Sequence, residues 1–411
     1  MSNINDTAYP ENLEFPENLL YNYKGSLMTP TKRKKIFGGL FRIPFIPLLF
    51  ALFASCEKFD AYEDPQGVTL SAPAWIDSVK AEEMQEELIN TMNKHELLGL
   101  QVCVAHREKG SWSLSLGTTA PEQKDPVEDQ HVFRIGSVTK AYTAALIFRL
   151  IEEGYLELDQ AVTEFYPEMA NVKHVLVRHL LEHSSGIRDI FTMPSILINA
   201  SNFPDKQWDP NHLAETCMKK RLLFQPGSEY SYSNTNYILL GLIAEQVTNR
   251  QLTELYTGYL FDRLGLSNTR FLPYQPPPDE LITGYVHHYA LSFREWFPNE
   301  PENRSWSTLA FSSGAMVTNA TELAAFMGSL FGGEFLSAES LDAMTGMRDG
   351  REKGLQRISV NGNTWYGHEG EITGFESIAL FHPGSGRIIV VCSNTTPFRV
   401  KEAIEVIDAT L

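Results

Sequence analysis

Apolar runs of strand length occur near both ends of the chain. Residues 99–105 and 112–117 are two such runs, and because Lys109-Gly110 lies between them, the pattern predicts a β-hairpin. Toward the C-terminus the pattern predicts further strands, at residues 356–360, 363–366, 374–381 and 387–392. Strands contributed by both ends of a chain indicate one sheet that is assembled from distant segments.

Between these strands the pattern changes to that of helices. Residues 74–95, 319–330 and 398–411 are helical in pattern, and residues 156–250 are predicted to be mainly helices with loops. Residues 275–304 are rich in proline and aromatic residues and are expected to form a long surface excursion. The expected fold is therefore of the mixed α/β class, α+β in type, with a mainly helical region inserted.

The N-terminal part of the chain differs from the rest. A basic cluster at residues 31–35 precedes an uncharged, mostly apolar run at residues 43–55, and Cys56 follows at once. A basic region, a short apolar region and small residues are typical of a secretory signal. Leu52-Phe53-Ala54-Ser55-Cys56 resembles a bacterial lipobox, in which the cysteine is lipidated. A plain signal peptide and a short membrane anchor are the alternatives.

This pattern divides the chain into three parts. We expect an N-terminal extension with a lipoprotein-type signal at residues 1–55, a linker at residues 56–73 and the folded domain at residues 74–411. A lipid on Cys56 would anchor the protein to a membrane of the bacterial cell envelope, on the periplasmic side or at the surface.

Charge and cysteine content exclude some functions. The formal net charge of −17 at pH 7 argues against a nucleic-acid partner, which requires a basic surface. Hydrophobic residues make up 43% of the chain, which is typical of a globular protein with a sizeable core. Cys103, Cys217 and Cys392 lie in or near apolar stretches and are expected to be buried free thiols. No Cys-x-x-Cys pair or histidine cluster indicates a metal, so no cofactor is expected.

Ser137 is the candidate nucleophile. The stretch from Phe133 to Phe148 reads as a short loop followed by a helix that is apolar on nearly every side, and such helices are usually buried. Lys140 follows Ser137 by three residues, so both side chains share one face of the helix. Burial lowers the pKa of a lysine amine, and the neutral amine can accept the serine proton. Because Ser-x-x-Lys also occurs by chance, partner motifs decide the interpretation.

A second candidate stretch precedes another predicted helix. Pro226-Gly227 sets a turn, and Tyr232 and Asn234 then sit in a short loop where side chains can face a cleft. A tyrosine beside a lysine amine can act as a general base, and an asparagine amide can orient a substrate carbonyl. In isolation, the same stretch is better explained as a helix cap with an aromatic turn.

A third candidate stretch lies in the C-terminal strand region. Glycines such as Gly370 permit close approach of a ligand to a strand, whose N–H groups could complete an oxyanion hole. His368 could supply a hydrogen-bond donor or a positive charge near neutral pH. In isolation, this histidine would be interpreted as a surface residue of a glycine-rich hairpin.

The order and spacing of the three stretches resemble those of the serine β-lactamase-like and penicillin-recognising hydrolases. The resemblance covers residues 75–411. Within this family, the sequence most resembles the branch that contains class C β-lactamases, D-alanyl-D-alanine carboxypeptidases, D-aminopeptidases and related esterases. His183-Ser184-Ser185-Gly186 and Ser312-Ser313-Gly314 are also similar to segments of that family. The resemblance implies a β-lactamase/transpeptidase-like fold, with an antiparallel sheet flanked by N- and C-terminal helices.

The resemblance also implies a role for each candidate residue. Ser137 attacks a carbonyl and forms an acyl-enzyme, while Lys140 and Tyr232 share the proton transfers. Asn234 positions the acyl side chain. The backbone N–H groups of Ser137 and Glu371 hold the oxyanion, and no metal is required.

His368-Glu369-Gly370-Glu371 departs from the Lys-Thr-Gly of typical family members. His368 stands in the place of the lysine, and both His368 and Gly370 are expected on the substrate-binding side. Glu369 and Glu371 would repel a carboxylate-bearing substrate unless their side chains turn away. An ester, or a substrate that carries an amine, is compatible with these residues.

The function implied by the resemblance is that of an envelope serine hydrolase. A D-alanyl-D-alanine carboxypeptidase or D-amino-acid peptidase acting on small peptides or peptidoglycan fragments is the first expectation. A carboxylesterase and a class C-like β-lactamase are alternatives with the same chemistry. The alternative of another class is a catalytically silent binding protein for cell-wall fragments or β-lactams, which need not retain Ser137, Lys140 and Tyr232.

Overall fold

The computed structural model describes residues 73–411 except 122–124, 291–292, 301 and 347–349, with the backbone alone at residues 288–290 and 293–297. The expected signal at residues 1–55, the lipidation site Cys56 and the linker up to residue 72 lie outside the described residues. Within the described part of the chain, no helix is both long and apolar enough to cross a membrane.

Helices and strands alternate irregularly along the described chain. The helices are α1 (Ser78–His95), α2 (Thr139–Glu152), α3 (Val177–Leu181), α4 (Pro194–Asn202), α5 (Pro210–Met218), α6 (Asn234–Thr248), α7 (Leu252–Tyr256), α8 (Asp262–Leu264), α9 (Arg304–Ala310), α10 (Ala320–Gly332), α11 (Ala338–Thr345) and α12 (Val400–Thr410). The strands are β1 (Gly99–His106), β2 (Gly110–Gly117), β3 (Phe133–Arg134), β4 (Arg270–Phe271), β5 (Gly284–Ala290), β6 (Phe293–Asn299), β7 (Met316–Thr318), β8 (Gln356–Val360), β9 (Asn363–Ile372), β10 (Phe375–His382), β11 (Arg387–Ser393) and β12 (Thr395–Thr396).

A six-stranded antiparallel sheet, in the order β2-β1-β11-β10-β9-β8, forms the centre of the fold. The predicted hairpin is present, with Gly99 opposite Gly117. Strand β1 also pairs with β11, from Leu100 opposite Ser393 to His106 opposite Arg387. The prediction of one sheet assembled from distant segments, with helices between them, is therefore confirmed.

Helices cover both faces of this sheet. On one face, Met84 of α1 and Ile404 of α12 share a hydrophobic cluster with Val102 and Val391 of the sheet. On the other face, the sheet packs against α10, and a larger cluster continues into α2 and the helical region. Successive residues of a strand point to opposite faces, so β9 presents alternate side chains to α12 and to α2.

Three elements differ from their predictions. Residues 275–304, expected to form a long surface excursion, contain the antiparallel strands β5 and β6, and β5 also pairs with β12. The strand predicted at residues 363–366 continues to Ile372, because β10 pairs with it through its glycines. Helix α2 begins at Thr139, after a 3₁₀ turn at Gly136–Val138 that contains Ser137.

The cysteine prediction is confirmed. Cys103, Cys217 and Cys392 are buried free cysteines. Burial raises the pKa of the Cys103 and Cys392 thiols to about 12, so both are protonated at neutral pH.

Candidate active site

Ser137 lies in the 3₁₀ turn at the start of α2. The side chains of α2 are buried from Thr139 to Phe148, because the helix lies between the sheet and the helical region. Gly136 has a φ of +47°, in the left-handed region that favours glycine, and a Cβ there would lie 2.7 Å from the carbonyl oxygen of Glu371. The turn therefore lies directly against β9, with the Ser137 side chain partly exposed.

Lys140 is fully buried beside Ser137. Its Nζ lies 3.0 Å from Ser137 Oγ, 2.8 Å from Asn234 Oδ1 and 2.7 Å from the backbone carbonyl oxygen of Ser313. Burial lowers the pKa of Lys140 to about 7, and the nearby Asp189 carboxylate opposes that shift. Near neutral pH, much of the amine is therefore unprotonated and can accept the Ser137 proton.

Tyr232 contacts the same hydroxyl. Its phenol donates to Ser137 Oγ at 2.9 Å, and Lys140 Nζ lies 4.9 Å from the centroid of its ring. The His183 ring stacks on the Tyr232 ring with 4.4 Å between centroids, and His183 Nδ1 accepts from the Ser233 N–H at 3.1 Å. Burial lowers the pKa of His183 well below its usual value, so a neutral ring supports the tyrosine.

The backbone of the His183-Ser184 segment also holds the tyrosine loop. The carbonyl oxygen of His183 accepts from Ser231 N–H at 2.9 Å, and that of Ser184 accepts from Gly227 N–H at 2.8 Å. These bonds give a structural role to a segment that the sequence analysis noted only as similar to family members.

Asn234 connects the lysine to Asp189. The Asp189 carboxylate accepts from the Asn234 backbone N–H at 3.1 Å and from its Nδ2 at 3.1 and 3.3 Å. The amide is thereby turned so that its Oδ1 accepts from Lys140. Asp189 was not predicted as a site residue. Its only local signal is that of a cap for the short turn Ile190–Thr192, which indicates structure rather than chemistry.

His368 is buried on β9, on the face of the sheet toward α2. Burial, and then the charge of Lys140, lower the pKa of His368 to about 3. Its Nδ1 contacts the backbone carbonyl oxygen of Glu369, which can only accept, so Nδ1 carries the hydrogen and Nε2 is left as an acceptor. At neutral pH the histidine therefore offers a lone pair, rather than the positive charge that the sequence analysis allowed for.

Two glycines bring β9 against the serine turn. A Cβ on Gly136 would lie 2.8 Å from the Glu371 backbone nitrogen, and a Cβ on Gly370 would lie 2.0 Å from the Ile135 carbonyl oxygen. Neither position has room for a side chain, so both glycines are required for this close approach.

The direction of the β9 N–H groups suits an oxyanion hole. Glu369 N–H donates to Gln356 Oε1 at 3.1 Å, so it points to the edge of β9 away from β10. Alternate residues of a strand direct their N–H groups to the same edge, so Glu371 N–H points there as well. A Cβ on Gly136 would lie 2.8 Å from the Glu371 nitrogen, so this edge of β9 lies against the turn that contains Ser137.

The side chains of Glu369 and Glu371 lie on the other face of the sheet. Glu369 is opposite Ile378, and Glu371 is opposite Glu376. Directly paired residues share a face, and Ile378 belongs to the cluster under α12. Both carboxylates are therefore turned away from Ser137, which removes the direct repulsion considered in the sequence analysis.

A cavity of about 230 Å³ opens beside the tyrosine and the histidine. Tyr232 and His368 line it together with Glu352, Gln356 and Arg357, which precede or begin β8. Glu352 and Arg357 form an ion pair across 2.7 Å. The candidate site therefore combines a serine hydroxyl, in contact with Lys140 and Tyr232, with a small polar cavity.

The sequence is similar to those of known proteins. The family model described as Beta-lactamase matches residues 83–411. The protein flp of Staphylococcus aureus (strain MW2) is 24% identical over 339 residues, which cover 78% of this chain and 65% of flp. This chain thus spans slightly less than two-thirds of the length of that relative.

Solved structures share the fold. The D-amino acid amidase from Ochrobactrum anthropi SV3, complexed with D-phenylalanine, has a TM-score of 0.72 at 21% identity over 81% of this chain and 98% of its own. The penicillin binding protein from Bacillus halodurans has a TM-score of 0.66 at 23% identity over 78% and 97%. The family match covers most of the chain and every candidate site residue from Ser137 to Glu371. This protein belongs to the Beta-lactamase family, with the fold of the serine β-lactamases and penicillin-binding proteins.

Proposed function

We propose that this protein is an active serine hydrolase that cleaves amide bonds in D-amino-acid amides or peptides through an acyl-enzyme on Ser137. The observation that carries the proposal is the placement of Ser137 Oγ within 3.0 Å of Lys140 Nζ and 2.9 Å of the Tyr232 hydroxyl. A protein that only binds its ligand has no need of a nucleophile held between two proton-transfer groups. The likeness to the D-amino acid amidase supports the substrate class.

In the proposed reaction each of these residues has its own part. Neutral Lys140 accepts the Ser137 proton as Oγ attacks the carbonyl carbon, and the N–H groups of Ser137 and Glu371 stabilise the oxyanion. When the C–N bond breaks, Tyr232 donates a proton to the leaving nitrogen and is reprotonated from Lys140. Water then attacks the Ser137 ester and passes a proton to the same groups. The bond between the acyl carbon and Ser137 Oγ breaks, Oγ takes that proton back, and the acid leaves.

The D-alanyl-D-alanine carboxypeptidase expected from the sequence is one member of this class. It would act on peptidoglycan fragments, and a lipid on Cys56 would hold it in the bacterial envelope. Both parts of this statement are proposals that rest on the sequence motifs.

Mass spectrometry of the intact protein with a fluorophosphonate, combined with turnover of D-phenylalanine amide, tests the proposed function. The wild type is expected to gain one adduct on Ser137 and to release ammonia, and Ser137→Ala is expected to do neither. Ser111→Ala, at an exposed position in the β1–β2 hairpin, serves as the matched control and should behave as the wild type. Turnover retained by Ser137→Ala would refute the acyl-enzyme.

A further inference from the structure

The leaving group of the proposed reaction departs on the side of Tyr232. The residue that protonates the leaving nitrogen must contact it, and Tyr232 is within hydrogen-bond distance of Ser137 Oγ. The cavity of about 230 Å³ opens on this side, with Tyr232 and His368 in its wall. Ligand pockets are typically about 300–1,000 Å³, so this cavity suits a small leaving group.

His368 presents a hydrogen-bond acceptor to that leaving group. Its Nδ1 hydrogen is directed to the backbone oxygen of Glu369, and the ring is only 3% exposed. Nε2 is therefore the nitrogen that can contact a ligand, and it can only accept a hydrogen bond. A leaving group with N–H or O–H donors is favoured at this position, whereas a carboxylate is repelled.

The Arg357 guanidinium group in the cavity wall is already paired with a carboxylate. Of the described residues that line the cavity, only Arg357 carries a guanidinium or ammonium group, and Glu352 holds it at 2.7 Å. The Glu352 side chain is 25% exposed and the Arg357 side chain 46%, so the carboxylate is partly shielded while the guanidinium group is open to water. A substrate carboxylate would have to displace Glu352 and would then lie beside the displaced negative charge.

We infer that the leaving-group side of this site rejects carboxylates, so that the substrates are carboxamides or C-terminally capped peptides. This rests on the proposed function and narrows it to an amidase rather than a carboxypeptidase. The amide C–N bond breaks and the Ser137 ester bond forms. The nitrogen takes its proton from Tyr232 and leaves as ammonia or as an amine without a carboxylate.

The test compares two substrates that differ only in the charge of the leaving group. D-phenylalanylglycinamide and D-phenylalanylglycine have the same scissile bond, but only the second carries a free carboxylate. With the full chain, kcat/KM for the capped substrate is expected to exceed that for the free acid by at least about tenfold, the size of one unfavourable like-charge contact in a partly buried site.

Two variants test the structural cause. His368→Lys places a cation where the lone pair now lies and is expected to shift the ratio about tenfold toward the free acid. Position 368 is buried, and a lysine there can prevent folding. Glu352→Gln therefore provides an independent test. It frees the Arg357 guanidinium and is expected to shift the ratio in the same direction. The matched control is Glu254→Gln in α7, which removes the ion-pair partner of Arg250, an arginine with the same 46% exposure as Arg357 that does not line the cavity.

Each outcome decides between the interpretations. Equal kcat/KM values in the wild type, or a higher value for the free acid, would overturn the inference while leaving the serine hydrolase standing. The inference would also be overturned if Glu352→Gln did not change the ratio of kcat/KM for the capped substrate to that for the free acid. If neither substrate is hydrolysed and Ser137 is not labelled by the fluorophosphonate, the proposed function itself fails.

Discussion

At the scale of single residues, one buried amine determines how this site responds to pH. In the proposed reaction the neutral form of Lys140 accepts the serine proton, and burial lowers the pKa of Lys140 to about 7. Its contacts with Ser137, Asn234 and the Ser313 carbonyl oxygen hold the amine beside the serine hydroxyl. The catalytic form therefore becomes more abundant as the pH rises through the lysine's pKa.

We predict that kcat/KM for a p-nitrophenyl ester rises with pH, with an apparent pKa of about 7. This substrate does not titrate in the neutral range, so the profile reports on the enzyme. Lys140 loses its proton as the pH rises, and the rate follows the neutral amine. A flat profile between about pH 6 and 8, or one that falls, would contradict the assignment of Lys140 as the base.

Asp189→Asn is the companion variant for this profile. The Asp189 carboxylate raises the pKa of Lys140, so its removal is expected to move the midpoint to lower pH. The asparagine can still accept from the backbone N–H of Asn234, which preserves part of the support. An unchanged midpoint would show that the two groups are not coupled.

A second prediction at this scale concerns Glu376, a buried carboxyl group opposite Glu371. Burial raises its pKa to about 8, while its carboxyl oxygen accepts from Phe398 N–H. Between about pH 4.5 and 8 the Glu376 carboxyl group therefore holds a proton in the folded state that it releases in the unfolded state. Its contribution to the free energy of unfolding falls as the pH rises through this range. Glu376→Gln keeps an acceptor and removes the ionisation.

Glu376→Gln is accordingly expected to stabilise the fold by about 2–3 kcal/mol at pH 7 and to have little effect near pH 4. Chemical denaturation at both pH values measures the difference. Equal effects at pH 4 and pH 7 would show that the carboxyl group does not ionise on unfolding in this range.

At the scale of elements, the site depends on the contact between β9 and the turn that carries Ser137. We predict that Gly370→Ala lowers kcat/KM at least about a hundredfold, since a displacement of 1 Å in a catalytic group has an effect of that size. The added Cβ would lie 2.0 Å from the Ile135 carbonyl oxygen, so the strand must move away from the turn.

The matched control is Gly328→Ala, in the interior of α10. A Cβ there meets only Ile388, at 3.6 Å, so the substitution is expected to leave the activity unchanged. Steady-state kinetics of both variants, with circular dichroism to confirm that each is folded, separates the local contact from a general effect of added volume. Full activity of Gly370→Ala would show that strand and turn are not held together as described.

At the scale of the whole molecule, distant parts of the chain are joined by the cluster under α1 and α12. Ile404 of α12 is fully buried there with residues of α1 and of the sheet. We predict that Ile404→Ala destabilises the protein by about 2–5 kcal/mol, the range for deletion of a large buried aliphatic side chain. At temperatures where the variant is folded, kcat/KM should stay near that of the wild type.

Thermal unfolding of Ile404→Ala and of Val79→Ala provides the comparison. Val79 lies on α1 but is 59% exposed, so its truncation should change the Tm little. Similar shifts for the two variants would contradict the view that the buried cluster, rather than helix propensity, holds these helices on the sheet.

Much of the fold was predictable because its signals are local. The β1–β2 hairpin and α10, capped by Asn319, follow from apolar periodicity and turn or cap residues within a few positions of each other. The full length of β9 was not predictable, because its glycines have no strand propensity and are held by pairing with β10. The strands β5 and β6 were also not predicted. They are held by pairing with each other, whereas their proline and aromatic content indicated a loop.

The sequence by itself determined the family and the order of the motifs, and it made Ser137, Lys140 and Tyr232 the candidate catalytic residues, because these conclusions depend on residue type and spacing. Only the tertiary structure decided the electrostatics of the site. The lowered pKa of Lys140, the neutral His368 and the contribution of Asp189 all arise from burial and from contacts between segments far apart in the chain. Such effects depend on what surrounds a group in space, and no local pattern of residues encodes that.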